Sequence, residues 1–207
     1  MTARRRRAET ACVSGSRVGI VLSTGVLSCV LCAGIAAASP KPLALRERVL
    51  QRGEFAGFTF ERPKFYRAAK TWVALDTSLT PAQVRAQVAR LTREGFKGVL
   101  AEFLDDAQGP RMGLSTVMEL GSAVAARAEL AAEVRYETTH QAPVTFHVST
   151  IPGAVGYGGG GGENITFADG RFLYLVGNAW QTPTTHNPRH AALTEAATKL
   201  YRRVHGR

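Results

Sequence analysis

Apolar positions along this chain come first as one unbroken run and then as short periodic bursts. From Val18 to Ala38 no side chain is charged, and the run is preceded by Arg4, Arg5, Arg6, Arg7 and Arg17. Small residues close it at Ala36, Ala37 and Ala38, and Pro40 and Pro42 then prevent a helix from continuing. Basic, apolar and small segments in that order predict an export leader over residues 1–38, cut between Ala38 and Ser39, with the arginines held at the negatively charged inner face of the membrane. Two alternatives stay open. Residues 18–38 are long enough to remain as an uncut membrane anchor. Val26, Leu27, Ser28 and Cys29 also form a lipobox-like group that would place lipid on Cys29.

Past the leader the bursts read as elements of alternating period. Residues 39–66 are expected to form a lead segment, with a short amphipathic helix from Leu43 to Gln51 that Gly53 stops. Phe58 to Trp72 mixes aromatic with basic residues and should enter a first core strand at Thr71 to Leu75. Thr80, Pro81 and Gln83 then make a capping box, with Val84, Val88 and Leu91 at helical spacing and Gly95 and Phe96 placed for a Schellman ending. Lys97–Leu104 and Gly113–Leu120 are apolar-rich strands separated by a turn-forming stretch, and so predict a hairpin. Ser122 caps a second helix to about Glu137, and Val144 to Thr150 alternates as a strand. Ile165–Ala168 and Arg171–Gly177 flank Asp169 and Gly170, which predicts a two-residue turn. This register would set Phe167 beside Phe172 and Ile165 beside Tyr174. A last helix begins at Asn187 and Pro188, carrying Leu193, Ala197, Leu200 and Val204 as its stripe and Glu195 and Lys199 as an outward pair.

The fold class expected from this order is α+β. Residues 67–207 form a single-domain sandwich with a split β-α-β (ferredoxin-like) core, a C-terminal hairpin and helix added to it, and helices on one face of a mainly antiparallel sheet.

Composition sharpens the picture at two points. All three cysteines, Cys12, Cys29 and Cys32, lie in the leader, so a mature domain has no thiol for a disulfide, a nucleophile or a metal site. The leader also holds five arginines and one glutamate, so its removal lowers the formal net charge from +10 to +6. What remains suits an anionic lipid or envelope polymer.

The chemistry on offer is sparse. No Gly-x-Ser-x-Gly elbow, phosphate-binding loop or His-Glu-x-x-His element occurs after the leader, and no cofactor or bound metal is expected. Gly153, Gly156 and Gly158–Gly162 read as a mobile loop, since a strand rather than a helix amino terminus follows. His186 and His190 are four apart, but Pro188 puts His186 outside the helix; His140 or His147 would have to complete a metal site. Nucleic acid is not an expected partner, because the aromatic and basic segment suits a core edge with solvated arginines.

The segment Arg48 to Phe58, together with Phe167 to Trp180, resembles uncharacterised exported proteins of soil actinobacteria. The resemblance implies export and a single domain. It carries no activity, ligand or catalytic residue.

Two functions follow as expectations. The strand Phe172 to Val176 is apolar on both alternating faces, so Phe172, Tyr174 and Val176 should meet a second layer, a small apolar or amphipathic ligand, or an envelope partner, the plainer alternative being that the lead segment covers them. This describes a non-enzymatic extracytoplasmic binding domain, touching a membrane only through its leader. The alternative is an extracellular hydrolase or lyase in which His147 works with a carboxylate such as Glu102.

Overall fold

A computed structural model describes residues 43–106, 111–140, 144–159, 161–180, 187 and 189–205. The expected leader, its Ala38–Ser39 cleavage point, Cys29 and His186 lie outside the described residues.

Among the described residues eight strands form one sheet: β1 (Phe58–Phe60), β2 (Lys64–Tyr66), β3 (Gly98–Asp106), β4 (Arg111–Glu119), β5 (Val144–His147), β6 (Val155–Gly159), β7 (Gly162–Asp169) and β8 (Phe172–Trp180). They lie in the order β1-β3-β4-β8-β7-β6-β5, with β2 also paired to β3. All pairings are antiparallel. Among the described residues four helices accompany them: α1 (Ala69–Val73), α2 (Pro81–Arg93), α3 (Ala123–His140) and α4 (His190–His205). The class is therefore α+β with a mainly antiparallel sheet, as the pattern predicts.

The wiring is not that of a split β-α-β core. Thr71–Leu75, expected as the opening strand, is largely the helix α1 and its end. Ala69 and Val73 fall one helical turn apart and bury together, and that shared face outweighs the strand preference of Thr71, Trp72 and Val73. The helix expected over Leu43–Gln51 shrinks to one 3₁₀ turn at Leu45–Arg48, after which Val49 and Leu50 lie buried against the sheet.

Helices cover both faces of the sheet rather than one. The first face carries Leu100, Leu104, Val117, Ile165, Phe167, Tyr174 and Val176, covered by Leu193, Ala197, Leu200 and Val204 of α4 and by Val49, Leu50 and Phe55 of the lead segment. The second carries Val99, Met118 and Leu173, packed against residues of α1, α2 and α3. Two apolar faces on one strand require two covering layers, and β8, between β4 and β7, has them.

The lead segment belongs to the domain and falls in the same compact unit. Leu50 N donates to Ser115 Oγ at 3.0 Å, and Arg48 Nη1 to Tyr174 Oη at 2.6 Å. Arg203 of α4 clamps the segment, with Nε and Nη2 on the Glu54 carboxylate at 3.0 and 2.7 Å, Nη2 on Val49 O at 2.9 Å, and Nη1 on Glu47 O.

The glycine run, expected as a mobile loop, is mostly strand: β6 and β7 pair from Val155↔Thr166 to Gly159↔Gly162. Ladder hydrogen bonds need no side chain, and any side chain at Gly156 would run into the Phe146 ring of β5. The hairpin joining β7 to β8 also shifts from its expected register. Asp169 pairs with Phe172, so the turn residues are Gly170 and Arg171 rather than Asp169 and Gly170, and Phe167 faces Tyr174 while Ile165 faces Val176. The shift is by two, which keeps every side chain on its own face, so alternation alone does not distinguish the registers.

Candidate functional site

The expected ligand-binding trio does not form a site. Tyr174 and Val176 are fully buried, and Phe172 packs under the Arg48 guanidinium, 4.0 Å from its ring centroid. The second layer over this face is α4 and the lead segment. Burial pushes the Tyr174 hydroxyl up to about 12 despite Arg48 beside it, which suits a structural phenol.

The expected catalytic pair does not form either. Glu102 stands on β3 and His147 on β5, with β4, β8, β7 and β6 between them. Five strand spacings of about 4.8 Å put them roughly 24 Å apart along the sheet, beyond the reach of a hydrogen bond or a bridging water. His147 is exposed, while Glu102 is buried beneath the lead segment, where desolvation raises its pKa. His190 bonds Glu163 at 2.9 Å, within a network that joins Asn178 and Asn187. Among the described residues no three His, Cys, Asp or Glu side chains are grouped for a metal ion.

The opposite face of β8 holds the cavity. Between the sheet and α1, α2 and α3 lies a space of about 390 Å³, reached by Leu173 and Leu175, the residues that alternate with the expected trio. Its floor is the middle of the sheet: Phe103 from β3, Leu114, Thr116 and Met118 from β4, and the two β8 leucines. Trp72, Val73, Leu75 and Asp76 line it from α1 and the turn after it, and Gln87, Arg90 and Leu91 from α2. Helix α3 supplies Glu129, Glu133, Tyr136 and Glu137.

Local sequence sets this geometry. Thr80 starts α2 through the predicted capping box, its Oγ1 accepting from Gln83 N at 3.3 Å while Gln83 Oε1 accepts from Thr80 N at 2.8 Å. The helix ends in the predicted Schellman motif, Phe96 N donating to Leu91 O at 3.0 Å and Gly95 N to Thr92 O at 3.1 Å. Ser122 starts α3 as expected, its Oγ accepting from Ala125 N at 3.1 Å, and the helix runs to His140. The two helices are joined by Arg90, whose Nε and Nη2 bond the Glu129 carboxylate at 2.7 and 2.8 Å.

Carboxyl groups in this wall are held towards their neutral forms. Desolvation, with Glu129 and Glu137 nearby, raises Glu133 to about 7, although Tyr157 donates to its Oε1 at 2.8 Å. Burial and then Glu129 raise Glu94, beside the cavity, to about 7 as well. Burial and then Asp76 raise Glu137. Tyr157 is pushed well up by burial and by Glu133, and its hydroxyl also meets Thr166 Oγ1 at 3.2 Å. An apolar floor beneath a wall of perturbed carboxyls is the form small-molecule sites take. The sequence reading missed these residues. Their available signal was Glu129, Glu133 and Glu137 at four-residue steps, an arrangement that is unfavourable on a helix.

No helix among the described residues is long and apolar enough to cross a membrane. The chain matches no protein-family model and no curated protein. In fold it is similar to the extracellular domain of PknH from Mycobacterium tuberculosis, at a TM-score of 0.53 and 12% identity, over 81% of this chain and 99% of that one.

Proposed function

We propose that this chain is an exported, non-enzymatic extracytoplasmic domain that takes a small apolar or amphipathic ligand into the cavity between its sheet and α1–α3. The observation that carries the reading is the cavity itself. At about 390 Å³ it has room for a small ligand, and its apolar floor can bury one while the polar groups of its helical wall fix its orientation. The basic, apolar and small-residue order of residues 1–38 supports export, as does the lack of cysteine beyond Cys32. The extracellular origin of the PknH domain of similar fold agrees with that placement.

An apolar fluorescent dye titrated into the protein tests the cavity. The wild type should bind it saturably, and Leu175→Trp, which fills the space above the half-buried Leu175, should weaken binding at least tenfold while leaving the thermal midpoint close to wild type. Equal dye binding by both proteins would place the dye elsewhere and remove the reading. Export is tested by intact mass in a bacterial host: the secreted species should begin at or near Ser39, whereas retention of residues 1–38 or lipid on Cys29 would replace cleavage with one of its alternatives.

A further inference from the structure

Resting on that reading of the cavity, we infer that its ligand is a cationic amphiphile, an amine or quaternary ammonium joined to an apolar body. The charge inventory of the wall carries the inference. Asp76, Glu129, Glu133 and Glu137 line the cavity, and the cation among its lining residues, Arg90, is already committed to Glu129 through two hydrogen bonds. Asp76 accepts from Ser78 N and Oγ at 3.0 and 2.5 Å, and Glu133 accepts from Tyr157, so both have neutral donors and no ion-pair partner among the described residues.

This concentration of acid stands in a chain with 26 lysines and arginines against 16 aspartates and glutamates. Three carboxylates at successive turns of α3 repel one another, and their partial removal from water strengthens that repulsion. A cation in the cavity relieves the repulsion, whereas an anion adds to it. The floor of Phe103, Leu114, Met118, Leu173 and Leu175 is apolar but for Thr116 and carries no charge, so it suits an apolar body at the ligand's other end. Trp72 and Tyr136 at the sides can present ring faces to an ammonium group.

Protonation should oppose the cation. Around the cavity, Asp76 follows α1, Arg90 and Glu94 belong to α2 and its end, Glu129, Glu133 and Glu137 to α3, and Tyr157 to β6; Arg93 and His140 lie close enough to act on Glu94 and Glu137. Glu133 and Glu94 titrate near 7, so the wall becomes more negative as pH rises through neutrality.

Isothermal titration of the full chain with octyltrimethylammonium, octanol and octanoate at pH 8 and pH 5.5 tests the inference. At pH 8 octyltrimethylammonium should bind at least tenfold more tightly than octanol, with octanoate weakest. At pH 5.5 the advantage of the cation over octanol should shrink severalfold. Glu133→Gln combined with Glu137→Gln should reduce that advantage at pH 8 while leaving octanol binding unchanged, which shows that the double variant is folded and its cavity intact. Octanol or octanoate binding as well as the cation would overturn the charge inference and leave the cavity reading standing. Binding of none of the three would overturn both.

Discussion

Gly170 has φ +56°, the left-handed region that primed hairpin turns need at their first central position. A β-branched residue is strained there, so Gly170→Val should lower stability by about 1 to 3 kcal/mol in urea denaturation. Gly161 has open space around its Cβ position and no positive φ, and Gly161→Val should cost much less. Glu133 supplies a second test with a defined sign. Its folded pKa of about 7 lies above the value near 4.5 of a free carboxyl, so the native state holds the proton more tightly than the unfolded chain. Stability is then fully present below about pH 4.5 and is lost as pH rises through 7, by roughly 3 kcal/mol for this group. Glu133→Gln keeps an acceptor for Tyr157 and has no charge to desolvate, so its unfolding free energy should fall less between pH 5 and pH 8 than that of the wild type. Parallel profiles would show that Glu133 ionises normally. The register of the last hairpin was only half legible at this scale: Asp169 and Gly170 marked the turn, but whether Asp169 or Arg171 shares it with Gly170 depends on the ladder with β8.

At the scale of elements, those with local signals were legible. The Thr80–Gln83 box and the Gly95–Phe96 ending bracketed α2, and the stripe Leu193, Ala197, Leu200, Val204 marked α4, where all four residues are buried. Glu195 and Lys199 pair as expected at 2.7 Å. Elements defined by distant partners were not legible. The glycine strands β6 and β7 carry little apolar pattern where they meet at Gly158 and Gly159, because their backbone partners rather than side chains hold them. In the lead segment the helical pattern of Leu43–Gln51 misled, since Arg203, 149 positions from Glu54, anchors the chain there. Arg203→Ala removes that fork and should speed tryptic cleavage within residues 46–52 several-fold, with a loss of about 2 kcal/mol in stability for the unpaired Glu54 and its carbonyl partners. Dye binding should persist, because the segment covers the face opposite the cavity. Loss of dye binding in a folded Arg203→Ala protein would show that the two faces are coupled.

For the whole molecule, the class was legible because apolar bursts of alternating period specify which elements exist. Their neighbours were not, because the strand order depends on which hairpins meet. The doubly apolar β8 called for cover on both sides, but the face expected to take a ligand is the one that α4 and Val49, Leu50 and Phe55 of the lead segment cover, and the cavity lies on the other. The central seam of the sheet also bears on the order of synthesis and folding. Strand β4 pairs with β8 from Glu119↔Phe172 to Arg111↔Trp180, so a nascent chain emerging amino terminus first must present nearly its whole length before the two hairpin sheets can zip together. Such non-local closure is slow, on the order of milliseconds to seconds. A chain still lacking β8 has no continuous core, because this strand joins β4 to β7. The fold thus stays open until nearly all of it has been made, and β8 is the latch that closes it.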